Sequence, residues 1–165
     1  SDEIARGIAP FDLSHAAIDA GRVMLKRIRT LTDSKNDFAF ETTLAVRSYA
    51  NLIEKTKKKG YMIQLVYFWL NSPELAIERV QNRVLAGGHS IPENVIRRRY
   101  WSGIKNLFTI YMPLCDRWLL INNSESPSTL IAEGAGARES KIYNQPDYDR
   151  LKSISQNLLP GLGEE

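Results

Sequence analysis

Three short apolar runs alternate along this chain with amphipathic helical segments, and this alternation leaves few folds open. The runs cover residues 38–42, 61–70 and 117–122, and each has the length of a buried strand. Between them, apolar residues recur at three- and four-residue steps, as on one face of an α-helix. Strands that alternate with helices usually build a parallel sheet that the helices cover. The sequence therefore predicts an α/β fold with a mostly parallel sheet.

Start and stop signals delimit the predicted helices. Ser72 followed by Pro73 is a helix start, and three lysines followed by Gly60 are a helix stop. Residues 90–93 have the pattern of a capping box, in which a serine and a glutamate cap the first helical turn. The predicted helices cover residues 14–32, 44–59, 72–85 and a long segment from residue 90 onward.

The character of the chain changes after Asn123. Residues 129–132 (TLIA) and 140–144 (SKIYN) flank a glycine-containing turn and predict a small hairpin, and residues 147–159 predict a last helix. We therefore predict a core of residues 1–124 and an extension of the same domain at residues 125–165.

Size, charge and cysteine content exclude several classes of protein. A chain of 165 residues suits one domain with one core, and its net charge of +3 is mild. The one cysteine, Cys115, cannot form an internal disulfide, and its apolar neighbours indicate a buried thiol. The longest apolar run, residues 65–70, is far shorter than the about 20 residues that span a bilayer. Residues 1–7 lack the apolar stretch of a signal peptide. We expect a cytoplasmic protein without a membrane partner.

Two arginines lie one helical turn apart in the third predicted helix. Arg79 and Arg83 project from one face, and arginine binds phosphate through two parallel hydrogen bonds. The loop Gly87-Gly88-His89 follows, with two flexible residues and an imidazole that can donate to a phosphate oxygen. A helix–loop–helix with arginines on both sides is what a lid over a nucleotide requires. The alternative is an exposed loop histidine and surface arginines that match Glu74 and Glu78.

Three consecutive arginines begin the fourth predicted helix. Because neighbouring helical residues point in different directions, at most two of the three can reach one phosphate. Arg97 and Arg98 are the candidates, whereas Arg99 neighbours the apolar face. A basic cluster beside aromatic residues is also typical of nucleic-acid binding. One such cluster in a chain of net charge +3 is weak support, so we do not expect a nucleic-acid partner.

Glu41 and Thr42 end the first predicted strand. In open α/β sheets, ligands bind beyond the carboxyl ends of the strands, where a carboxylate can bind Mg²⁺ or a substrate hydroxyl. The alternative is a Thr42 that caps the next helix and a Glu41 that pairs with a cation. Asp2 carries no functional signal from its own surroundings.

The printed sequence contains no G-x-x-x-x-G-K-[ST], the loop whose backbone N–H groups and lysine hold nucleotide phosphates. The sequence therefore indicates a kinase-like fold without its principal phosphate-binding loop. We expect this chain alone to bind Mg-ATP weakly.

In combination, these residues resemble the zeta-toxin-like P-loop kinases, in the bacterial group described as predicted ABC-type ATPases. The resemblance spans residues 2–124, and no single piece of it is specific by itself. The matching pieces are DEIARGIAPFD, AAIDAGRVMLKRI, FAFETTL, KKKGYMIQLVYFWLNSPELAIERVQNRV, GGHSIPENVIRRRY and LFTIYMPLCDRW with NNS after it.

The resemblance implies a three-layer α/β/α P-loop kinase fold that uses ATP and Mg²⁺. The phosphorylated substrate of characterised zeta toxins is a hydroxyl of UDP-N-acetylglucosamine. Asp2 matches the family's general base, and Glu41 matches the glutamate of its substrate and metal site. His89 lies near a position where zeta toxins have an arginine. The resemblance also implies a nucleotide, a small hydroxyl substrate and an antitoxin protein as partners.

The resulting hypothesis is that the chain is an ATP-dependent small-molecule kinase domain, which is inactive as this fragment. Its alternative is a non-catalytic remnant or binding module of the same fold. The proposed catalytic residues are Asp2, Glu41 and Arg83, and the proposed phosphate and substrate contacts are Thr42, Arg79, His89, Arg97 and Arg98. Without the family's first strand, which is central in such sheets, the apolar runs 38–42 and 61–70 would border a gap. The resemblance therefore implies that the chain is a fragment of a longer protein, with another chain or segment that fills the gap as the alternative. We therefore also expect self-association.

Overall fold

A computed structural model describes residues 13–88 and 90–157, with only the helical backbone given for residues 13–20. The chain divides into two compact units, Ser1–Glu41 and Thr42–Glu165. The predicted boundary between residues 124 and 125 falls inside the second unit. Among the described residues, no helix has both the length and the apolar character needed to cross a membrane.

The first unit contains helix α1, Leu13–Asp33, close to its predicted bounds. Ile28 and Thr32 lie one turn apart and are both buried. The Thr32 hydroxyl donates a hydrogen bond of 2.8 Å to the Ile28 carbonyl oxygen, which satisfies the buried polar group. Lys35, with φ of 55°, ends the helix in the left-handed region.

The second unit is built on a four-stranded sheet in the order β1-β2-β3-β4. Its strands are β1 Gln64–Trp69, β2 Arg117–Asn122, β3 Thr129–Ala135 and β4 Arg138–Ile142. β1 and β2 are parallel, and the β3–β4 hairpin continues the sheet in antiparallel pairs. The predicted α/β class, the β2 strand and the hairpin are confirmed.

The helices of the second unit are α2 Tyr49–Lys58, α3 Pro73–Leu85, α4 Glu93–Asn106 and α5 Gln145–Asn157. Ser72 caps α3 as predicted, because its hydroxyl accepts the Leu75 N–H at 3.2 Å. After Asn106, α4 continues into a π-helical turn, Leu107–Tyr111, and one α-helical turn, Met112–Leu114.

One face of the sheet packs against the core. Along β1, Leu65, Tyr67 and Trp69 turn toward it, and Trp69 is 1% exposed. The remaining core is contributed by α4, its π-helical continuation, β2, β3 and α5. The buried residues of this core are Leu44, Trp69, Ile104, Leu107, Tyr111, Met112, Trp118, Leu120, Ile131, Ala132, Tyr148 and Leu151.

The prediction of a strand at residues 38–42 is wrong. Residues 36–43 have no regular secondary structure. An apolar run becomes a strand only where a neighbouring strand hydrogen-bonds to it, and the local pattern does not contain that information. Among the described residues, β1 is an outer strand of the sheet.

Two predicted helix starts also need correction. The second helix begins at Tyr49 rather than at residue 44, because Leu44 has φ of 57°, which is incompatible with a right-handed helix. The capping box at residues 90–93 is wrong: α4 begins at Glu93 after Pro92, and no side chain caps it. Proline fixes the entry to this helix instead.

Candidate anion-binding site

The carboxyl ends of β1 and β2 lie side by side, because Trp69 is opposite Asn122 in the parallel register. The loops that follow are joined by two hydrogen bonds. The Asn123 N–H donates to the Trp69 carbonyl oxygen at 2.8 Å, and the Asn71 N–H donates to the Ser124 hydroxyl at 2.9 Å. Ligands of open α/β folds bind at this end of the strands.

Arg79 of α3 reaches this edge of the sheet. Its guanidinium donates to the carbonyl oxygen of Asn123, directly after β2. Arg83 lies one turn further along α3, and both arginines are exposed. Helical spacing therefore predicted correctly that the two share one stretch of helix, but the sequence did not show that Arg79 is anchored to the end of β2.

Arg97 is engaged in an ion pair that holds two helices together. Its guanidinium contacts the Glu74 carboxylate in the first turn of α3, and this hydrogen bond keeps the pKa of Glu74 below its usual range. The pair matches part of the surface alternative, since Glu74 has an arginine partner, although that partner lies on α4 and not on α3. Arg98 and Arg99 are exposed on α4.

The two glycines between α3 and α4 have a packing role. Gly87 has φ of 88°, and its N–H donates to the Val84 carbonyl oxygen at 2.9 Å. A Cβ on Gly88 would lie 2.6 Å from the Arg83 carbonyl oxygen. Gly87 therefore ends α3 in the left-handed conformation, and Gly88 allows the close approach of the chain to the Arg83 carbonyl oxygen. His89 lies outside the described residues.

Thr42 belongs to a tight turn at the start of the second unit. Its hydroxyl accepts the Leu44 N–H at 3.1 Å, so the side chain has a structural partner. Glu41 precedes it in the chain, is exposed and belongs to the first unit. Asp2 lies outside the described residues, so its predicted role stays a prediction.

Residues from α4 hold this turn in place. The Asn106 side-chain amide donates to the carbonyl oxygens of Leu44 at 2.9 Å and Ala45 at 3.2 Å. A Cβ on Gly103 would lie 2.5 Å from the Thr43 carbonyl oxygen, so only glycine allows the close approach of the turn to α4. Sequence analysis missed both residues, because their partners lie some sixty positions away in the chain.

A second polar group that sequence analysis missed lies at the end of β1. The Trp69 indole N–H donates to the Tyr100 hydroxyl at 3.2 Å, and that hydroxyl donates to the Leu70 carbonyl oxygen at 2.7 Å. Burial raises the pKa of Tyr100, so it stays a neutral donor. Arg150 of α5 donates to the Asn71 carbonyl oxygen at 2.8 Å. In the sequence, the only signal for these contacts was that polar residues follow each of the two strands β1 and β2.

Comparison with known proteins identifies a family. The family model described as Zeta toxin matches residues 12–111, which include α3 and its arginines. An uncharacterized protein of Haemophilus influenzae is 33% identical over 100 residues, which are 61% of this chain and 71% of that protein. No solved structure matches the chain. The matched residues are more than half of the chain, and the chain therefore belongs to the Zeta toxin family.

Proposed function

We propose that this chain belongs to a kinase that transfers a phosphoryl group from ATP to a hydroxyl of a small molecule. Membership of the Zeta toxin family supports a P-loop kinase-like function that uses a nucleotide. The observation that carries the proposal is the anchoring of Arg79 beside the carboxyl ends of two parallel strands. That is where α/β kinases bind phosphates.

The arginines would provide the positive charge that phosphoryl transfer requires. Phosphoryl transfer is catalysed mostly by positioning and by neutralising the charge on the phosphoryl oxygens. Arg83 is the proposed catalytic arginine, with Arg79, Arg98 and His89 as further phosphate contacts. Arg97 can take part only if a phosphate replaces Glu74 as its partner, since the two form an ion pair in the free protein.

The acceptor side of the reaction is assigned from the family. Asp2 is the proposed general base, which takes the proton of the acceptor hydroxyl, and Glu41 with Thr42 would hold the substrate. The Thr42 hydroxyl accepts a hydrogen bond from the Leu44 N–H, which holds Thr42 in its turn.

ATP would supply the phosphoryl group, and Mg²⁺ would neutralise its charge. No group of three or more His, Cys, Asp and Glu side chains comes together as a metal site within the described parts of the chain. Proteins usually hold Mg²⁺ through one or two carboxylates together with phosphates and water. Glu41, exposed at the end of the first unit, is the carboxylate that we assign to it.

The family also supports more specific proposals about partners. We propose a UDP-amino sugar as the acceptor, an antitoxin protein as the regulatory partner and the bacterial cytoplasm as the location. Each of these follows from the family and not from a contact in the structure.

Product analysis tests the proposal. The protein is incubated with Mg-ATP and UDP-N-acetylglucosamine, and mass spectrometry identifies the products. We expect ADP and a sugar nucleotide with one additional phosphoryl group. Arg83→Ala should lower the rate by roughly 100-fold or more, whereas Arg138→Ala, an exposed arginine on β4, should not. Failure to form ADP with any hydroxyl acceptor contradicts the proposal.

A second candidate is a domain of the same fold that binds its ligand without turnover. The observation that favours it is that the 165 residues contain no G-x-x-x-x-G-K-[ST]. The same experiment separates the two candidates. Saturable binding of ADP without any product would support the binding module.

A further inference from the structure

Arg150 lies outside the residues matched by the family model, yet it reaches the same edge of the sheet as Arg79. Its guanidinium donates to the Asn71 carbonyl oxygen at 2.8 Å, two residues after the end of β1. The same group lies 5.6 Å from the centre of the Trp69 ring. Helix α5 therefore holds a cation in a defined position at the carboxyl end of β1.

Arg79 and Arg150 are anchored in equivalent ways on neighbouring loops. Arg79 donates to the Asn123 carbonyl oxygen after β2, and Arg150 donates to the Asn71 carbonyl oxygen after β1. Adjacent strands lie about 5 Å apart, and the Ser124 hydroxyl joins the two loops through the Asn71 N–H. The two anchoring carbonyl groups consequently belong to adjacent loops that a hydrogen bond joins.

Two acidic side chains nearby, Glu74 and Asp147, hydrogen-bond to residues other than Arg79 and Arg150. Glu74 pairs with Arg97, and the Asp147 carboxylate accepts from the Asn122 amide at 2.7 Å and the Asn144 amide at 3.0 Å. Arg79 and Arg150 instead donate to neutral carbonyl groups, so these bonds do not cancel their charge. A guanidinium has five N–H donors, of which each anchoring bond uses one.

We propose that Arg150 and Arg79 form a pair that binds a pyrophosphate group at the carboxyl ends of β1 and β2. Two guanidinium groups that are held by neutral oxygen atoms can together bind an anion whose oxygen atoms lie on two adjacent phosphorus atoms. The pyrophosphate group is shared by ADP and by UDP-sugars. The choice between these sources rests on the proposed function, whereas the binding of pyrophosphate does not.

The test is a titration of the protein with inorganic pyrophosphate, followed by NMR of the arginine side-chain N–H signals. The signals of Arg79 and Arg150 should shift together and saturate at the same concentration. Arg150→Gln should weaken binding by about tenfold or more, since it removes a charge-assisted hydrogen bond. Arg150→Lys, which keeps the charge but not the fork, should restore part of the affinity.

Lys152→Gln is the matched control. Lys152 lies on the same helix as Arg150, and its replacement by glutamine removes the same single positive charge. Its Nζ lies 3.6 Å from Oε1 of Glu139. It should change the affinity by less than about twofold. Thermal unfolding of each variant shows whether the fold is kept, and Arg79→Gln gives an independent second loss of affinity if Arg150→Gln does not fold.

Three results would overturn the inference: no binding of pyrophosphate, no shift of the Arg150 signal, or an equal loss of affinity in Lys152→Gln. Competition of ADP and of UDP-N-acetylglucosamine against pyrophosphate identifies the natural source of the group. If the protein turns over ATP but its affinity for pyrophosphate does not depend on Arg150, this inference is wrong and the proposed function stays intact.

Discussion

Asn106 stabilises a backbone conformation of Leu44 that the local sequence does not predict. Leu44 is buried and has φ of 57°, a left-handed conformation that costs a branched residue about 1–2 kcal/mol. The Asn106 amide donates to the carbonyl oxygens of Leu44 and Ala45. Burial of the leucine and these two hydrogen bonds offset the cost. They also fix the turn that directly follows Glu41 and Thr42.

Replacing Asn106 by leucine should therefore destabilise the second unit. We expect a loss of about 1–3 kcal/mol for each carbonyl oxygen that stays buried without a donor. Urea unfolding measures the change, and Asn157→Leu, at the exposed end of α5, is the control. Equal unfolding midpoints for the two variants would show that the turn does not depend on Asn106.

Asp116 joins the beginnings of the two parallel strands at the other end of the sheet. Its carboxylate accepts the Ile63 N–H at 2.7 Å and pairs with Lys57 at 2.8 Å. The backbone N–H and the lysine both hold the pKa of Asp116 below its usual range. Because the side chain is 35% exposed, water weakens the ion pair, and the hydrogen bond to the backbone is the more important contact.

This lowered pKa predicts an acid-dependent stability. The stabilisation is fully present above the unfolded-state pKa of about 3.9 and is lost as the pH falls through the lower folded-state pKa. The difference in unfolding free energy between the natural protein and Asp116→Asn should therefore be large at neutral pH and should shrink in acid below that range. Chemical denaturation at several pH values measures it, with Asp149→Asn as the exposed control. A difference that does not vary with pH would contradict the assignment.

At the scale of elements, the packing of the β3–β4 hairpin leaves no room for a side chain at Gly134. A Cβ on Gly134 would lie 2.2 Å from the Arg138 carbonyl oxygen and 2.2 Å from the Trp118 ring. Both distances are far below van der Waals contact. The bend between Glu133 and Gly134, where the register of the hairpin shifts, therefore depends on glycine.

Gly134→Ala should destabilise the sheet by about 1–3 kcal/mol or more, because backbone or the buried Trp118 ring must move. Gly21→Ala is the matched control, since nothing lies within 4 Å of a Cβ at that position in α1. Alanine is the better helix former by about 1 kcal/mol, so the control should be neutral or stabilising. Thermal unfolding compares the two. A Gly134→Ala protein as stable as its parent would show that the hairpin can shift without cost.

Helices and strands with strong local signals were predictable. β2 was predicted at its observed bounds, and α3 was delimited by the Ser72 cap and the glycines after Leu85. The strand at residues 38–42 was predicted wrongly, because the pairing of a strand depends on a distant partner. The capping box at residue 90 failed for a local reason, since Pro92 within the pattern fixes the start of α4 without a side-chain cap.

At the scale of the whole molecule, the outer strand β1 has two large apolar side chains exposed on one face. Val66 and Phe68 are 50% and 57% exposed on the face opposite the core. No strand pairs with the outer edge of β1 in the described part of the chain. Such an edge readily pairs with another chain, so we retain the proposal that the protein self-associates through β1.

Phe68→Glu should prevent this association, because a charge on the exposed face opposes its burial. We expect sedimentation velocity to show a concentration-dependent dimer for the natural chain and a monomer for the variant. Leu85→Glu, which changes an apolar residue that is 87% exposed on α3, should leave the dimer unchanged. A natural chain that stays monomeric at micromolar concentration would rule out self-association.

The candidate site was only partly predictable, because it joins residues that are far apart in the chain. Helical spacing was sufficient to single out Arg79 and Arg83. Arg150 could not be found in this way, since its partner Asn71 lies 79 positions earlier. The contact exists only because the parallel pairing of β1 and β2 brings the loops after both strands to one edge.

The location of a bound nucleotide tests the central claim most directly. A crystal of the protein soaked with millimolar ADP should show the diphosphate at the carboxyl ends of β1 and β2, within hydrogen-bonding distance of Arg79 or Arg83. A diphosphate bound elsewhere, or guanidinium groups of Arg79 and Arg83 that point away from a common anion, would contradict the account.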